Sequence, residues 1–154
     1  MSSKGYFDSP IGRLCIEEDG GYISGVHVMA QDEEFLQGNS ALLTEAKKQL
    51  QEYFEGRRKE FNLPLLLRGT EFQKKVWQGL CTIPYGETIS YKELAGIIGN
   101  PKAVRAVGGA NNKNPIMIIV PCHRVIGADG SLVGFGCGLH VKKLLLELEG
   151  NVIR

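Results

Sequence analysis

The stretch "ISYKELAGIIGNPKAVRAVGGANN", Ile89 to Asn112, holds two short helical patterns with a tight turn between them. Ser90 followed three residues later by Glu93 is a capping box: each side chain can satisfy a backbone N–H that the first helical turn leaves without a partner. The helix it opens has Leu94, Ala95, Ile97 and Ile98 as apolar positions, and Gly99 stands where a C-terminal stop belongs. Asn100 is expected to cap a second helix at once, with Pro101 in the first turn, where its missing N–H costs nothing. Two short helices about a Gly-containing turn match a helix-turn-helix, and an ordinary αα corner gives the same pattern.

Charge separates those two readings better than pattern does. The chain of 154 residues has a net charge of only +1. Residues 1–66 hold 7 Lys+Arg against 11 Asp+Glu, residues 67–125 hold 8 against 3, and residues 126–154 hold 3 against 3. The helix-turn-helix candidate thus lies in a stretch of balance +5 inside a neutral protein, which suits an anionic partner. A solvated, internally compensated surface is the plainer alternative. The second helix adds an unusual face: Lys102, Arg105, Gly109 and Asn112 fall along one stripe, bordered by Ala106 and Ala110. Gly108 and Gly109 each cost a helix about 1 kcal/mol relative to alanine. Such a face admits another backbone at close range, either a packed helix or a nucleic-acid strand, with Arg105 projecting from it.

Upstream, Thr70 and Gln73 form a second capping box before Phe72, Val76, Trp77 and Leu80. Downstream, "IMIIVPCHRVIG", Ile116 to Gly127, runs five apolar residues into a proline and then a cysteine, a histidine and an arginine. The apolar run is expected to be a buried strand that Pro121 ends. In a continuing strand Cys122 and His123 would point to opposite faces, so the pair belongs in the turn beyond Pro121, where they can converge directly or through one water. A thiol is only a few per cent thiolate at neutral pH, and a neighbouring imidazole can take its proton. A buried thiol beside a partly exposed histidine is the commoner outcome of such adjacency. The last helix, "LHVKKLLLELEG", is expected to bury Leu139, Leu144, Leu145 and Leu148 and to stop at Gly150. Glu149 lies in its last turn, where the helix dipole disfavours a carboxylate; a nearby imidazole would relieve it, and so would plain solvent.

The N-terminal part reads differently. "GRLCIEEDGGYISGVHVM" alternates on both sides of Asp19-Gly20-Gly21 and predicts a β-hairpin with Leu14, Ile16, Ile23, Val26 and Val28 inward. Ser40 can cap a helix with Leu42, Leu43, Ala46, Leu50, Tyr53 and Phe54 on its apolar side and Gly56 at its stop. "RRKEFNLP" is expected to be an edge strand. These features place a boundary near Leu67, giving an α/β domain over residues 1–67 and a second domain over 68–154.

Apolar content of 43% fits a globular chain, and no apolar run approaches the roughly 20 residues of a spanning helix. No secretory leader is visible, so the expected location is cytoplasmic, or nuclear in a eukaryote. Cys15, Cys81, Cys122 and Cys137 are scattered without C-x-x-C or paired-histidine spacing, which favours free thiols over disulfides or zinc.

"PCHRV" at Pro121–Val125, "NPKAVRAVGGANNKNP" before it, "ISYKELA" at Ile89–Ala95 and "KKLLLELEG" after it closely resemble the O6-alkylguanine-DNA alkyltransferases, also called methylated-DNA–protein-cysteine methyltransferases. The match is continuous from about Thr70 to Gly150. It extends into the N-terminal part through "DSPIGRL" and "QLQEYFEGRRKEFNLPL". The resemblance implies an RNase H-like N-terminal domain with a three-stranded antiparallel sheet and helix. It implies a mainly helical C-terminal domain with a winged-helix-like helix-turn-helix, whose second helix docks in the minor groove.

Its implied reaction is stoichiometric transfer of the alkyl group of O6-alkylguanine, and of O4-alkylthymine, from double-stranded DNA to the protein's own cysteine. The base is flipped out first, no cofactor takes part, and the protein acts as a monomer. By position, Cys122 resembles the acceptor, His123 its base through a water, and Glu149 the group that orients His123. Tyr91 resembles the residue that helps turn the nucleotide, and Arg105 the finger that fills the vacated stack. Ser90, Lys102, Ala103, Ala106 and Gly108 fall on the implied DNA face. Asn114, the Val125 backbone and the loop with Phe135, Gly136 and Cys137 fall at the base pocket. Some relatives bind zinc in the N-terminal domain; Asp19 and Ser24 stand where two of those ligands would fall, so no metal is expected there. Cys137 replaces a residue that is usually glycine, which would thicken the pocket wall against bulky alkyl groups such as benzyl. A lesion-binding protein without transfer and a thiol hydrolase are the competing readings. Cys122 weighs against the first, and the helix-turn-helix is unexplained by the second.

Overall fold

Gly20 and Gly21 both take positive φ, 60° and 87°, which only a residue without Cβ does readily. They make the two-residue turn whose twist matches the strands it joins. The computed structural model describes residues 2–132 and 138–151. Its chain divides into two units, Met1–Leu67 and Arg68–Arg154.

In the first unit, β1 (Ser2–Ser9), β2 (Gly12–Asp19) and β3 (Tyr22–Val28) form an antiparallel sheet in the order β1-β2-β3. Helix α1 (Ala41–Phe54) starts at Ser40, whose Oγ accepts the Leu43 N–H at 3.1 Å. Phe7, the register partner of Leu14, stacks on Phe54 of α1 with ring centroids 6.3 Å apart. The core on that side is Leu14, Ile16, Leu43, Ala46, Leu50 and Tyr53, all fully buried, and Ile23 and Val26 are buried with them. Val28, Leu42 and Phe54, also expected inside, are half-buried.

The stretch 57–64 is not an edge strand. The backbone of Asn62 goes to an α1 side chain instead: Gln49 Nε2 donates to its carbonyl at 3.1 Å and Gln49 Oε1 accepts its N–H at 2.9 Å. Arg58 Nε donates to Glu52 at 3.0 Å. Pairing begins only at Leu65, in a single parallel bridge to Ile23.

The second unit contains α2 (Glu71–Leu80), β4 (Ile89–Ser90), α3 (Tyr91–Ile97), α4 (Val104–Asn112), β5 (Val125–Ile126) and α5 (Leu139–Leu148). Both capping boxes form, Thr70 with Gln73 and Ser90 with Glu93. Trp77, 2% exposed, donates its indole N–H to the Ala110 carbonyl at 2.9 Å and so ties α2 to α4. Gly99, at φ 79°, ends the turn after α3. Asn100 does not cap α4: its carbonyl accepts the Ala103 N–H at 3.0 Å, a further turn forms, and the helix starts at Val104 without a side-chain cap. Pro101 and Lys102 therefore precede the helix. Ile97, expected inside, is 52% exposed.

Two further expectations change. Residues 116–120 are buried, but apart from a lone bridge position at Ile116 they form turns rather than a strand. The Ile119 N–H donates to the Met117 carbonyl at 2.8 Å, which closes a γ-turn on Ile118 at φ 73°. That conformation is rare and strained for a β-branched side chain. A second three-residue ring closes on Pro121, where the Cys122 N–H donates to the Val120 carbonyl at 2.8 Å. Asn114 holds the segment from outside, with Nδ2 on the Val120 carbonyl at 2.7 Å and Oδ1 accepting the Ile116 N–H at 3.0 Å. Helix α5 buries Val141, Lys142, Leu145 and Leu146, while Leu139 and Leu144 are 48% and 38% exposed.

Candidate active site and nucleic-acid interface

Pro121 ends the turns, and Cys122–Arg124 make one turn of 3-10 helix before β5. Adjacent side chains are thereby about 120° apart around the turn instead of on opposite faces. Cys122 is 4% exposed and His123 fully buried. The Cys122 carbonyl accepts the Val125 N–H, and Asn111 Nδ2 approaches it at 3.4 Å.

His123 Nε2 and Glu149 Oε2 are 2.7 Å apart in a fully buried pair. A carboxylate only accepts, so Nε2 holds the ring proton and the lone pair is left on Nδ1. Nδ1 is buried and makes no hydrogen bond to a described residue. The imidazole is thus set as a base aimed by its carboxylate.

Glu149, the residue that ends α5, is held from several sides. Arg124 grips both oxygens, Nε to Oε1 at 2.8 Å and Nη2 to Oε2 at 3.0 Å. The Gly86 N–H approaches Oε1 at 3.3 Å. Arg124 also donates Nη1 to the Ile83 carbonyl at 2.7 Å. A bidentate guanidinium offsets both the burial of the carboxylate and its place at the negative end of a helix. Neither Arg124 nor Lys142 was among the residues that the sequence pointed to as functional. Lys142 is fully buried; its Nζ donates to the Val125 carbonyl and lies 5.8 Å from the centre of the Tyr91 ring. The signals were present: an arginine directly after the Cys-His pair, and a lysine on the inner stripe of the last helix.

Burial lowers the His123 pKa below its ordinary value, against the upward pull of Glu149. Burial brings Lys142 down to about 8, against the pull of the Cys122 thiolate charge. Burial also pushes the Tyr91 phenol up, as does Cys122, while Asn111 acts the other way. Both cationic groups hold fewer protons in the folded chain than in the unfolded one, so each makes stability rise with pH. For Lys142 the rise falls between about 8 and the ordinary lysine value. For His123 stability is full above the unfolded value near 6.5 and drains away as the pH falls below it. Urea midpoints measured from pH 7.5 to 5.5 should decline, and His123→Asn should flatten that decline. An identical slope in the variant would remove His123 as its source.

The other expected residues separate into two places. Arg105, Ala106 and Lys102 are exposed, and Ala103 is half-buried. Val104, Gly109 and Asn112 continue the exposed side of α4. Gly108 does not share it fully: a Cβ there would meet Tyr91 at 3.8 Å, so it backs the Tyr91 ring. The Ser90 hydroxyl accepts the Glu93 N–H at 3.0 Å. The Val125 carbonyl already accepts from Lys142. Phe135, Gly136 and Cys137 lie outside the described residues.

The ribonuclease-like domain of 6-O-methylguanine DNA methyltransferase matches residues 3–67, and the DNA binding domain of the same protein matches residues 71–151. A methylated-DNA–protein-cysteine methyltransferase of Methanosarcina acetivorans is 50% identical over 151 residues, covering 94% of this chain and 96% of that one. One from Mycobacterium leprae is 53% identical over 151 residues, covering 95% and 91%. The crystal structure of Mycobacterium tuberculosis OGT in complex with DNA superimposes with a TM-score of 0.86 at 49% identity, covering 95% of this chain and 91% of that one. Matched in both halves, and sharing about half its residues with such proteins along nearly its whole length, the chain belongs to the 6-O-methylguanine DNA methyltransferase family.

Proposed function

We propose that this protein repairs double-stranded DNA by taking the alkyl group of O6-alkylguanine, and of O4-alkylthymine, onto Sγ of Cys122, once per molecule and as a monomer. The observation that carries this reading is the buried relay that begins at Cys122: a histidine next to the thiol, its Nε2 locked 2.7 Å from Glu149 and its Nδ1 left as base. His123 draws the thiol proton through a water. The thiolate attacks the alkyl carbon; the S–C bond forms, the C–O6 bond breaks, and its electron pair leaves on the guanine. Tyr91, whose phenol stays protonated, donates to the departing base. The product is a thioether that neither water nor another side chain displaces, so the protein is consumed.

The target oxygen lies inside a duplex, so the nucleotide must be turned out before reaction. Residues 68–154 supply both parts of that task. The exposed side of α4 approaches the backbone, with Lys102, Ala103, Ala106 and Ser90 lining the contact, and Gly108 lets Tyr91 sit close behind. Asn114 and the Val125 carbonyl border the pocket for the base, together with Phe135, Gly136 and Cys137. Incubation with an O6-methylguanine oligonucleotide should add one methyl group to the peptide holding Cys122. Repeated turnover, as a thiol hydrolase would show, or a mass gain on Cys15 or Cys81 would overturn the assignment.

Arg105, exposed on α4, fills the stack that the flipped base leaves. Arg105→Ala should slow repair in duplex DNA far more than reaction with free O6-benzylguanine, which needs no flipping. Equal losses with both substrates would remove the finger role. Wild-type binding should weaken with salt, with a log–log slope of about −0.9 per phosphate neutralised.

A further inference from the structure

The sheet face opposite α1 holds a cluster that alkyl transfer does not use. Tyr6, Cys15 and His27 are register neighbours across β1, β2 and β3. Leu14 and Ile16 face α1, so Cys15 between them points to the other side. The irregular segment 29–39, between β3 and α1, returns over that side. Phe35 meets the Tyr6 ring edge-on at 6.4 Å, and Gln37 Oε1 accepts the Tyr6 N–H at 3.2 Å. The Glu33 oxygens lie 2.8 Å and 3.1 Å from His27 Nε2. One ligand atom from each of Cys15, His27 and Glu33 lies within 4.8 Å of the other two.

We propose that Cys15, His27 and Glu33 form a binding site for a zinc-class divalent ion, with water in the fourth position. The donor set is one thiolate, one imidazole and one carboxylate, a combination of softness and number that selects such an ion over calcium or magnesium. Two anionic ligands balance its charge. Tetrahedral zinc with these donors separates its ligand atoms by about 3.3–3.6 Å, so the closing movement needed is small. Cys15, fully buried, is the fixed point. The side chains of His27 and Glu33 are 40% and 24% exposed, which gives them room to rotate and the ion a way in. With Nε2 on the ion, Nδ1 of His27 is left facing Glu17 Oε2 at 3.9 Å, and a carboxylate in that place orients a ligating imidazole. Lys4, 3.5 Å from Glu17, is held by that same carboxylate. The site is distinct from the position of the relatives' zinc ligands, where this chain has Asp19 and Ser24 and no metal is expected. It draws one ligand from each of two strands and one from the segment that crosses them, so an ion there would tie residues 29–39 to the sheet.

Cobalt(II) titration of the full-length reduced protein tests this, because a thiolate-to-cobalt charge-transfer band reports sulfur in the coordination sphere. One ion should bind per chain, with zinc displacing cobalt. The band should vanish in Cys15→Ser and persist in Cys122→Ala and Cys81→Ser. Glu33→Gln, a change on an irregular surface segment that leaves the core intact, should weaken the affinity at least about tenfold, and Glu17→Gln about tenfold or more. A wild-type protein without the band, a band that survives Cys15→Ser or disappears in Cys122→Ala, or an unchanged affinity in Glu33→Gln would each overturn the site. Alkyl transfer is measured separately, and its presence or absence does not enter this result.

Discussion

Cys122→Ala should remove no alkyl groups from DNA while its affinity for a duplex with O6-methylguanine stays within a few fold of wild type. The substitution deletes one buried sulfur, a loss of about 1 kcal/mol of packing in a chain whose other contacts are untouched. The residues proposed to grip DNA lie on α4, just before it at Lys102 and Ala103, and at Ser90, and none of them depends on the thiol. No other described cysteine is placed to take over. Cys15 is buried in the other unit, with its pKa pushed up to about 11 by burial and by the charges of Glu17 and Glu33. Cys81 is on the surface and outside the His123–Glu149 relay. Gel-shift titration and the mass of the tryptic peptides check both halves of the expectation. Transfer that continues in the variant would relocate the acceptor, and lost binding would make Cys122 part of the grip.

Glu149→Gln is expected to damage stability and chemistry together. The carboxylate receives hydrogen bonds from His123 and Arg124, and both of those residues are buried. Removing its charge leaves Arg124 without a counter-ion, which costs about 3–5 kcal/mol. That is a large part of the ~5–15 kcal/mol that holds a typical domain folded. Changing Arg124 to Met at the same time should restore part of the loss, since the two effects share one interaction. The repair rate should fall by about 10²–10⁴-fold, the usual worth of a positioned general base. The apparent pKa of Cys122, followed as alkylation rate against pH, should rise. Urea unfolding and single-turnover kinetics separate the two effects. A destabilised protein with an unchanged rate would leave Glu149 a purely structural role.

What the sequence disclosed depended on how local each feature is. Both capping boxes are decided within four residues and form as read. The hairpin at Gly20-Gly21 and the stop at Gly150 are local for the same reason. The 3-10 turn after Pro121 followed from the demand that Cys122 and His123 cooperate. The run Ile116–Val120 has the composition of a strand, yet beyond a single bridge position at Ile116 it closes on itself in turns. In α5 the leucines gave the inner face only in part: Leu145 is buried but Leu139 and Leu144 are exposed, because the helix turns Lys142 and Glu149 inward to meet Val125, His123 and Arg124. A hydrophobic pattern cannot register a helix whose buried stripe includes charges that find their partners elsewhere in the chain. The stretch 57–64 failed likewise: Arg58 and Asn62 bond Glu52 and Gln49 of α1, partners that no strand pattern reveals, and only the Pro64 carbonyl reaches β3, at the Ile23 N–H.

The clasp on Glu149 has a consequence for how such a protein is made. Ribosomes deliver Cys122 and His123 first, and the carboxylate that aims the imidazole emerges 26 residues later. On the proposed mechanism, Cys122 has no aimed base until α5 docks. The same contacts fasten the Ile83–Gly86 loop, so a chain that fails to close there also fails to arm itself. For a protein spent by a single reaction, the proposed mechanism makes this a form of quality control: a half-built or misfolded copy would lack the relay and have no edge to waste.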